Sequence, residues 1–363
     1  MISGGGKCNL THDGPTEDVL RAFRPNEAQF LRPSLYRFGA MDFLEIVTSR
    51  GLATYTRPDG RIFPVDQNAK DVVQILVGLL QDVGVTVRLE EPVIGLDAAG
   101  VRLSGRDEPA DSVIVATGGS SYPNSGTTGD GWRWIAELGH SIVPLRAALA
   151  PIYLHRNDIP GLALRDVVLK ARTTKEIAKW RGDLLFTHQG ISGPCALGVS
   201  RDVAEAMESA AVTLSIDSRP DETFESLAEH LIRASRENPH HLVASRLDLP
   251  ERFRERVLTS AAIPIDQRMK ALERKARNRL IENLKGLPLG PVRAVPLEKG
   301  EVVAGGVSLA EVDPKTMRSR IVPNLILCGE VLDIAGPVGG YNLQAAWSTG
   351  YVAGNTAASQ GVE

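Results

Sequence analysis

Residues 324–350 read NLILCGEVLDIAGPVGGYNLQAAWSTG, and they carry the strongest fold signal in the chain. An apolar run ends in Gly329 and Glu330, a glycine-rich bend follows, and an alanine-rich segment comes next. This order is typical of a buried strand that turns into a helix at the carboxyl edge of an α/β sheet. Backbone N–H groups and a helix N-terminus then meet at one point, which favours negative charge. The alternative interpretation is a glycine-rich turn that is packed tightly for steric reasons alone, because such a turn has the same glycine spacing.

A second apolar run, residues 111–119, reads DSVIVATGG and also ends in glycines. Gly118 and Gly119 allow the backbone to approach a ligand without a Cβ clash. The polar residues that follow, 120–131, offer many hydrogen-bonding groups, and a surface loop is the alternative interpretation. A third stretch, residues 186–194, reads FTHQGISGP, in which His188 could donate to a substrate carbonyl or act as a structural hydrogen-bonding group.

Composition limits the classes of function. The chain has 363 residues, which predicts two or three domains, with 43% hydrophobic and 23% charged residues, as in globular proteins. Its net charge of −3 provides no field for a polyanion, so we expect no nucleic-acid partner. Three cysteines without a CxxC pair indicate a reducing compartment, and no apolar run is long enough for a bilayer. These features predict a cytoplasmic protein without membrane association.

The pattern along the chain predicts an α/β domain interrupted by an insert. Residues 83–104 alternate apolar and polar positions around Gly and Pro, which predicts a short antiparallel meander. Short β-like runs, 167–171 and 212–216, indicate a β-rich part, whereas 223–285 has helical apolar spacing. The basic residues of 252–279 are interleaved with acids, which is typical of a solvated helix face, with a phosphate-binding patch as the alternative.

The expected domains follow these changes. We expect a first part of the cofactor domain over 1–145, an inserted domain over 146–296 and a second cofactor part over 297–363. The insert divides into a β-rich part, 146–220, and a helical part, 221–296.

Several familiar motifs are excluded. Gly4, Gly6 and Asn9 almost form GxGxxG, but Asn occupies the last position. Residues 190–193, GISG, are not a nucleophile elbow, and the histidines form no HxxxH or Cys/His cluster, so no metal site is expected.

Four ordered blocks together resemble a known family. They are SGGGKCN at residues 3–9, ATGGSSYPNSGTTGDG at 116–131, FTHQGISGP at 186–194 and CGEVLDIAGPVGGYNLQAAWSTG at 328–350. The pattern resembles the NAD(P)/FAD-dependent oxidoreductase family that includes the BaiN-like bile-acid 3-dehydro-Δ4,6-reductases and the aminoacetone-oxidase-like flavoproteins.

The resemblance implies an α/β Rossmann-like FAD-binding domain of discontinuous chain, with an inserted β-rich and helical substrate domain. It implies that FAD is the cofactor, NAD(P)H the reductant and a small molecule the substrate. In a flavoprotein, the helix that begins after Gly340 would face the N1/C2 carbonyl edge of the flavin, and Asp333 could accept from a ribityl hydroxyl. No residue of these motifs stands out as a catalytic acid or base. The residues implied to bind FAD are Ser3, Gly4, Gly5, Gly6, Cys8, Asn9, Val93, Ala116, Thr117, Gly118, Gly119, Gly329, Glu330, Asp333, Gly339, Gly340, Tyr341, Asn342, Leu343 and Gln344.

The sequence departs from the family pattern at its start. Family members carry a βαβ unit with a GxGxxG-type turn before the SGGG loop, and that unit, which supplies a diphosphate site, does not precede the loop in this sequence. Lys7 also stands where Arg is usual, which keeps the charge but loses the bidentate fork. We therefore expect this chain to bind FAD more weakly than its relatives do.

The expected function is hydride transfer from NAD(P)H through FAD to an organic acceptor. An FAD-dependent amine oxidase that uses O₂ is one alternative. A truncated, flavin-free paralogue or mis-started gene product without catalysis is the other.

Overall fold

The computed structural model describes residues 8–66, 68–123 and 126–359. The chain separates into two compact units. Unit 1 comprises Met1–Arg146 and Leu297–Glu363, and unit 2 comprises Ala147–Pro296.

Helices and strands alternate irregularly along the chain. The helices are α1 (Thr16–Arg21), α2 (Pro25–Arg37), α3 (Ala40–Ser49), α4 (Ala69–Asp82), α5 (Asp130–Glu137), α6 (Pro194–Ala206), α7 (Phe224–Glu237), α8 (Glu251–Ser260), α9 (Arg274–Gly286) and α10 (Tyr341–Ala358). The strands are β1 (Thr11–His12), β2 (Thr54–Thr56), β3 (Arg61–Pro64), β4 (Val93–Leu96), β5 (Gly100–Leu103), β6 (Arg106–Pro109), β7 (Val113–Val115), β8 (Ile142–Ala148), β9 (Ile152–Leu154), β10 (Ala163–Arg172), β11 (Glu176–Phe186), β12 (Gly190–Ser192), β13 (Thr213–Asp217), β14 (Leu287–Ala294), β15 (Val302–Val307) and β16 (Leu325–Leu327).

The parallel pair β7 and β16 contributes to a hydrophobic core of unit 1. Val113 pairs with Leu325 and Val115 with Leu327, although 211 residues separate the turns that follow them. All three residues of β16 are buried, since apolar β-branched and leucine side chains suit a strand covered on both faces. The two strands predicted around 111–119 and 324–330 are therefore confirmed. Because the strands are parallel, both following turns leave the pair at the same edge.

Helix α10 follows β16 and packs against α2. Its N-cap residue, Gly340, has φ +91°, and a Cβ added there would lie 2.5 Å from the Thr11 carbonyl oxygen. Only glycine fits this position, since a side chain would be strained and would also clash. The close approach holds strand β1 against the start of α10.

The meander expected over 83–104 lies further along the chain than predicted. Strands β4, β5 and β6 form an antiparallel three-stranded sheet, but 83–92 contains no regular strand. The four apolar residues of that segment are between 47% and 79% exposed: Val83, Val85, Val87 and Leu89. Alternation produces a strand only where a neighbour supplies ladder hydrogen bonds and an apolar face, and within the described ranges no strand does so for this segment.

Unit 2 is built on a closed antiparallel barrel. The strand order is β10-β11-β12-β9-β14-β13, and Phe186 and Ile191 lie in its core with 1% and 0% exposure. The β-like runs 167–171 and 212–216 coincide closely with β10 and β13, and helices α7, α8 and α9 occupy 224–286, so these predictions are confirmed. The helices turn their periodic leucines inward, since Leu227, Leu231 and Leu284 are buried.

The three cysteines are all buried thiols without a disulfide. In the described part of the chain, no helix is both long enough and apolar enough to span a bilayer.

Candidate functional site

The carboxylate of Glu330 joins the two strand-end turns of unit 1. Its Oε2 accepts a hydrogen bond from the Gly119 N–H over 3.1 Å, and its Oε1 accepts one from the Val303 N–H over 2.8 Å. The turn after β7, the turn after β16 and strand β15 are thus held by one side chain.

Glycine is required where these turns meet. Gly118 has φ +72°, a conformation that L side chains rarely adopt, and a Cβ added to Gly119 would lie 2.8 Å from Cδ of Glu330. The absence of a side chain at Gly119 therefore allows the Glu330 carboxylate to reach the backbone. The sequence predicted a different role for this glycine, the close approach of a ligand.

Burial raises the pKa of Glu330 above its usual value, and the hydrogen bonds from Val303 and Gly119 partly oppose that effect. Burial disfavours the charged form, whereas N–H donors favour it. The side chain is a structural acceptor whose charge is costly to maintain in this position.

An apolar cavity of about 510 Å³ adjoins the strand ends, and we call it the strand-end cavity. Two stacked aromatic pairs stand on its wall: Phe43 with Trp347, whose ring centroids are 4.4 Å apart, and Phe38 with Tyr351, at 4.6 Å. Its size is within the range of small-molecule sites. The lining residues are Phe38, Phe43, Ile46, Leu76, Leu79, Ala116, Gly118, Cys328, Gly329, Glu330, Ala346, Trp347, Gly350 and Tyr351.

The N-terminus of α10 presents unused donors. The backbone N–H groups of Tyr341, Asn342 and Leu343 have no acceptor among the described residues, and no side chain caps the helix. The first turn of a helix leaves such groups for a cap, water or a ligand, and the helix dipole adds positive potential there. This end of α10 suits a negatively charged or carbonyl-bearing group.

The side chains around this helix start are held by internal bonds. Asn342 accepts from the Gly336 N–H at 2.8 Å and donates to the Gly336 carbonyl at 2.9 Å, which closes the 336–342 bend. Gln344 is 1% exposed; it accepts from Thr11 Oγ1 at 2.6 Å and donates to the Phe38 carbonyl at 3.3 Å. Only the backbone of this segment is left for a ligand at these two positions.

His12 lies in the same cluster and was not among the residues expected from the sequence. Its Nδ1 is 3.0 Å from the Gly339 carbonyl oxygen, and its ring stacks on Tyr341 with centroids 4.4 Å apart. The amide oxygen of Asn9 accepts from the Gly340 N–H at 2.7 Å when the amide is oriented to satisfy its neighbours. An isolated histidine in a polar stretch carries no pattern from which this position could have been inferred.

The other expected site residues are distributed over unit 1. Ser3, Gly4, Gly5 and Gly6 lie outside the described residues. Cys8 is buried with φ +58°, and Val93 lies in β4 opposite Leu103. Ala116 and Thr117 are exposed after β7, and Asp333 accepts from the Gly305 N–H at 3.1 Å.

His188 lies in unit 2, exposed in the turn between β11 and β12. Among the residues that the structure describes, no three His, Cys, Asp or Glu side chains are grouped so as to hold a metal ion.

Comparison with known proteins identifies the family. Residues 1–356 match the HI0933-like protein Rossmann domain. The chain belongs to the HI0933-like family. It is thereby a member of a family of Rossmann flavoprotein oxidoreductases, which confirms the BaiN-like resemblance and the α/β Rossmann fold class with an additional β-rich part.

Curated relatives of this HI0933-like chain carry two different names. The ribosomal RNA dihydrouridine synthase of Escherichia coli K12 is 31% identical, with 97% of this chain and 86% of the relative covered. The protein of that name from Haemophilus influenzae is 28% identical, with 97% and 87% covered. The 3-dehydro-bile acid delta(4,6)-reductase of Clostridium scindens is 30% identical, with 99% and 90% covered.

Proposed function

We propose that this HI0933-like chain is an FAD-dependent oxidoreductase that passes a hydride from NAD(P)H through FAD to a carbon–carbon double bond conjugated with a carbonyl group. The observation that supports it best is the convergence in unit 1 of two glycine turns, tied by Glu330, beside an apolar, aromatic-walled cavity.

The residues present are compatible with a flavin. Gly118 and Gly119 form a turn without side chains, and the N–H groups of Tyr341, Asn342 and Leu343 are suited to a carbonyl edge that gains negative charge. When bound, FAD supplies the redox chemistry, accepting and returning a hydride. The chain contributes binding, orientation and positive potential from α10, while the apolar cavity wall excludes water.

The names of the relatives suggest the acceptor. Formation of dihydrouridine saturates a double bond of a uracil ring, and the bile-acid reductase is named for delta(4,6) double bonds beside a 3-oxo group. Both acceptors are double bonds made electron-poor by a carbonyl, which a hydride attacks at carbon. A free small molecule is favoured over an RNA, since the chain has a net charge of −3.

The test is anaerobic and uses the full chain with excess FAD. Flavin absorbance is recorded first with NADH or NADPH and then with a conjugated 3-oxosteroid, uridine or a uridine-containing ribosomal RNA transcript. We expect bleaching by a nicotinamide, return of the oxidised spectrum with a conjugated acceptor, and a saturated product by mass spectrometry.

Other outcomes would replace the proposal. Bleaching by an amine followed by reoxidation with O₂ would assign an amine oxidase. Turnover with the ribosomal RNA transcript alone would identify RNA, and not a free small molecule, as the hydride acceptor. Failure to bind FAD under saturating conditions would favour a flavin-free binding protein.

A further inference from the structure

The helical part of unit 2 contains a second cavity of about 690 Å³, which we call the α7 cavity. It lies between α7, the chain segment 245–249 and residues of α8 and α9. Four leucines with at most 6% exposure line it: Leu227, Leu231, Leu247 and Leu284. A cavity of this size with an apolar wall can enclose a small molecule.

Two of the four arginines that line the α7 cavity already have partners. Arg219 donates to the Asp248 carbonyl over 2.8 Å, and its Nε lies 3.8 Å from Oε1 of Glu222. The guanidinium of Arg246 contacts the ring of His241. These interactions position both side chains within the protein.

The other two arginines, Arg233 and Arg254, differ from them. In the described part of the chain neither guanidinium forms an ion pair or a side-chain hydrogen bond, and Nε of Arg254 is shielded from solvent without an acceptor. A buried donor without an acceptor is unfavourable, and more so when it belongs to a cation. An anion in the cavity would satisfy it.

The acidic residues of the cavity do not supply that anion. Glu222 is engaged by Arg219 and lies 4.0 Å from Nδ1 of His230. Glu237 and Asp248 are exposed, and among the described residues their carboxylates form no ion pair. The two arginines thus remain uncompensated.

We propose that the α7 cavity binds an amphipathic anion, with an aromatic or alicyclic body against the leucines and a carboxylate, sulfonate or phosphate group bound by Arg233 and Arg254. The guanidinium fork matches such groups by paired, charge-assisted hydrogen bonds. Every residue of this site belongs to unit 2, so the proposal is independent of the redox function assigned to unit 1.

The test uses the full chain and two probes that share an aromatic body. The first, 8-anilinonaphthalene-1-sulfonate, is an anion, and the second, N-phenyl-1-naphthylamine, is uncharged. Each is titrated by fluorescence against the wild type, Arg233→Gln and Arg254→Lys. Arg236→Gln is the matched control, since Arg236 is also exposed on α7, one turn further on, and does not line the cavity.

We expect one saturable site for the anionic probe. Arg233→Gln should raise its dissociation constant roughly tenfold, the value of one charge-assisted hydrogen bond. Arg254→Lys should weaken binding less, because the charge is kept. The arginine substitutions should leave binding of the uncharged probe unchanged, and Arg236→Gln should bind the anionic probe as the wild type does.

Arginine modification by phenylglyoxal, mapped by mass spectrometry with and without the anionic probe, locates the site. Bound sulfonate should protect Arg233 and leave Arg236 reactive. The proposal is overturned if the wild type has no saturable site, if Arg233→Gln and Arg236→Gln bind the sulfonate alike, or if protection is absent at Arg233. Arg233 is exposed, so its replacement does not compromise folding.

Discussion

The carboxylate of Glu330 accepts a hydrogen bond from the Gly119 N–H over 3.1 Å and so connects two turns 211 residues apart. Its second oxygen accepts from Val303, which brings a third segment into the same junction. Glu330 thus lines the strand-end cavity and also connects the glycine turns of the proposed flavin site.

Replacing Glu330 by Ala should destabilise unit 1. The Gly119 and Val303 N–H groups would lose their acceptor, and each unsatisfied donor costs about 1–3 kcal/mol, partly offset because a buried charge is removed. We expect a net loss of about 1–3 kcal/mol in urea unfolding. Glu330→Gln, which keeps one acceptor oxygen, should lose less. Equal stability of Glu330→Ala and wild type would show that the junction is not needed.

The raised pKa of Glu330 predicts a pH dependence of stability. Burial, its largest cause, makes the folded state bind the proton more tightly than the unfolded chain, whose carboxyl titrates near 4.5. The stabilising contribution is therefore complete below pH 4.5 and is lost as the pH rises through the folded pKa. The difference in unfolding free energy between wild type and Glu330→Gln should decrease over this window, and a constant difference would contradict the assignment.

Gly119→Ala should disturb the junction directly. The added Cβ would lie 2.8 Å from Cδ of Glu330, so the carboxylate must shift away from the backbone N–H groups that it binds. We expect reduced thermal stability and weaker FAD binding in an equilibrium titration. Gly354→Ala in α10 is the control, since nothing lies within 4 Å of its added Cβ and alanine favours a helix. If both variants behave alike, the close packing at Gly119 is unimportant.

His140 predicts a second, opposite pH dependence. The ring is 5% exposed, with Nε2 2.8 Å from Ser319 Oγ and Nδ1 3.1 Å from Glu311 Oε2. Burial lowers the pKa of His140 below 6.5, although Glu311 opposes the shift. The neutral ring stabilises the fold above pH 6.5, and this contribution should be lost as the pH falls through the folded pKa. The denaturant midpoints of wild type and His140→Asn should converge as the pH is lowered. A difference between the two midpoints that does not change with pH would contradict the assignment to His140.

The uncovered apolar segment 83–89 should limit solubility. Val87 and Leu89 are 50% and 79% exposed, and an exposed apolar, strand-like segment promotes association. Val87→Lys and Leu89→Lys should lower the aggregated fraction in sedimentation, with unfolding free energy changed by less than about 0.5 kcal/mol. Thr86→Lys adds the same charge without removing an apolar side chain. If it improves solubility equally, charge rather than apolar exposure is responsible.

Local sequence patterns were sufficient to predict the strands and helices that carry the site. The apolar runs before Gly119 and Gly329 predicted two buried strands, and the periodic leucines of 223–285 predicted the helices of unit 2. These features could be inferred because strand and helix formation depend on residues close in the chain.

Long-range packing determines which residues of these elements come into contact. The bond between Glu330 and Gly119, the contact of His12 with Gly339 and the internal role of Gln344 each join positions far apart in sequence, which no local pattern encodes. The strand prediction for segment 83–89 was wrong. Its alternating apolar pattern suits a strand, but no strand among the described residues pairs with it. A strand or a hydrogen bond needs a partner, and packing selects that partner.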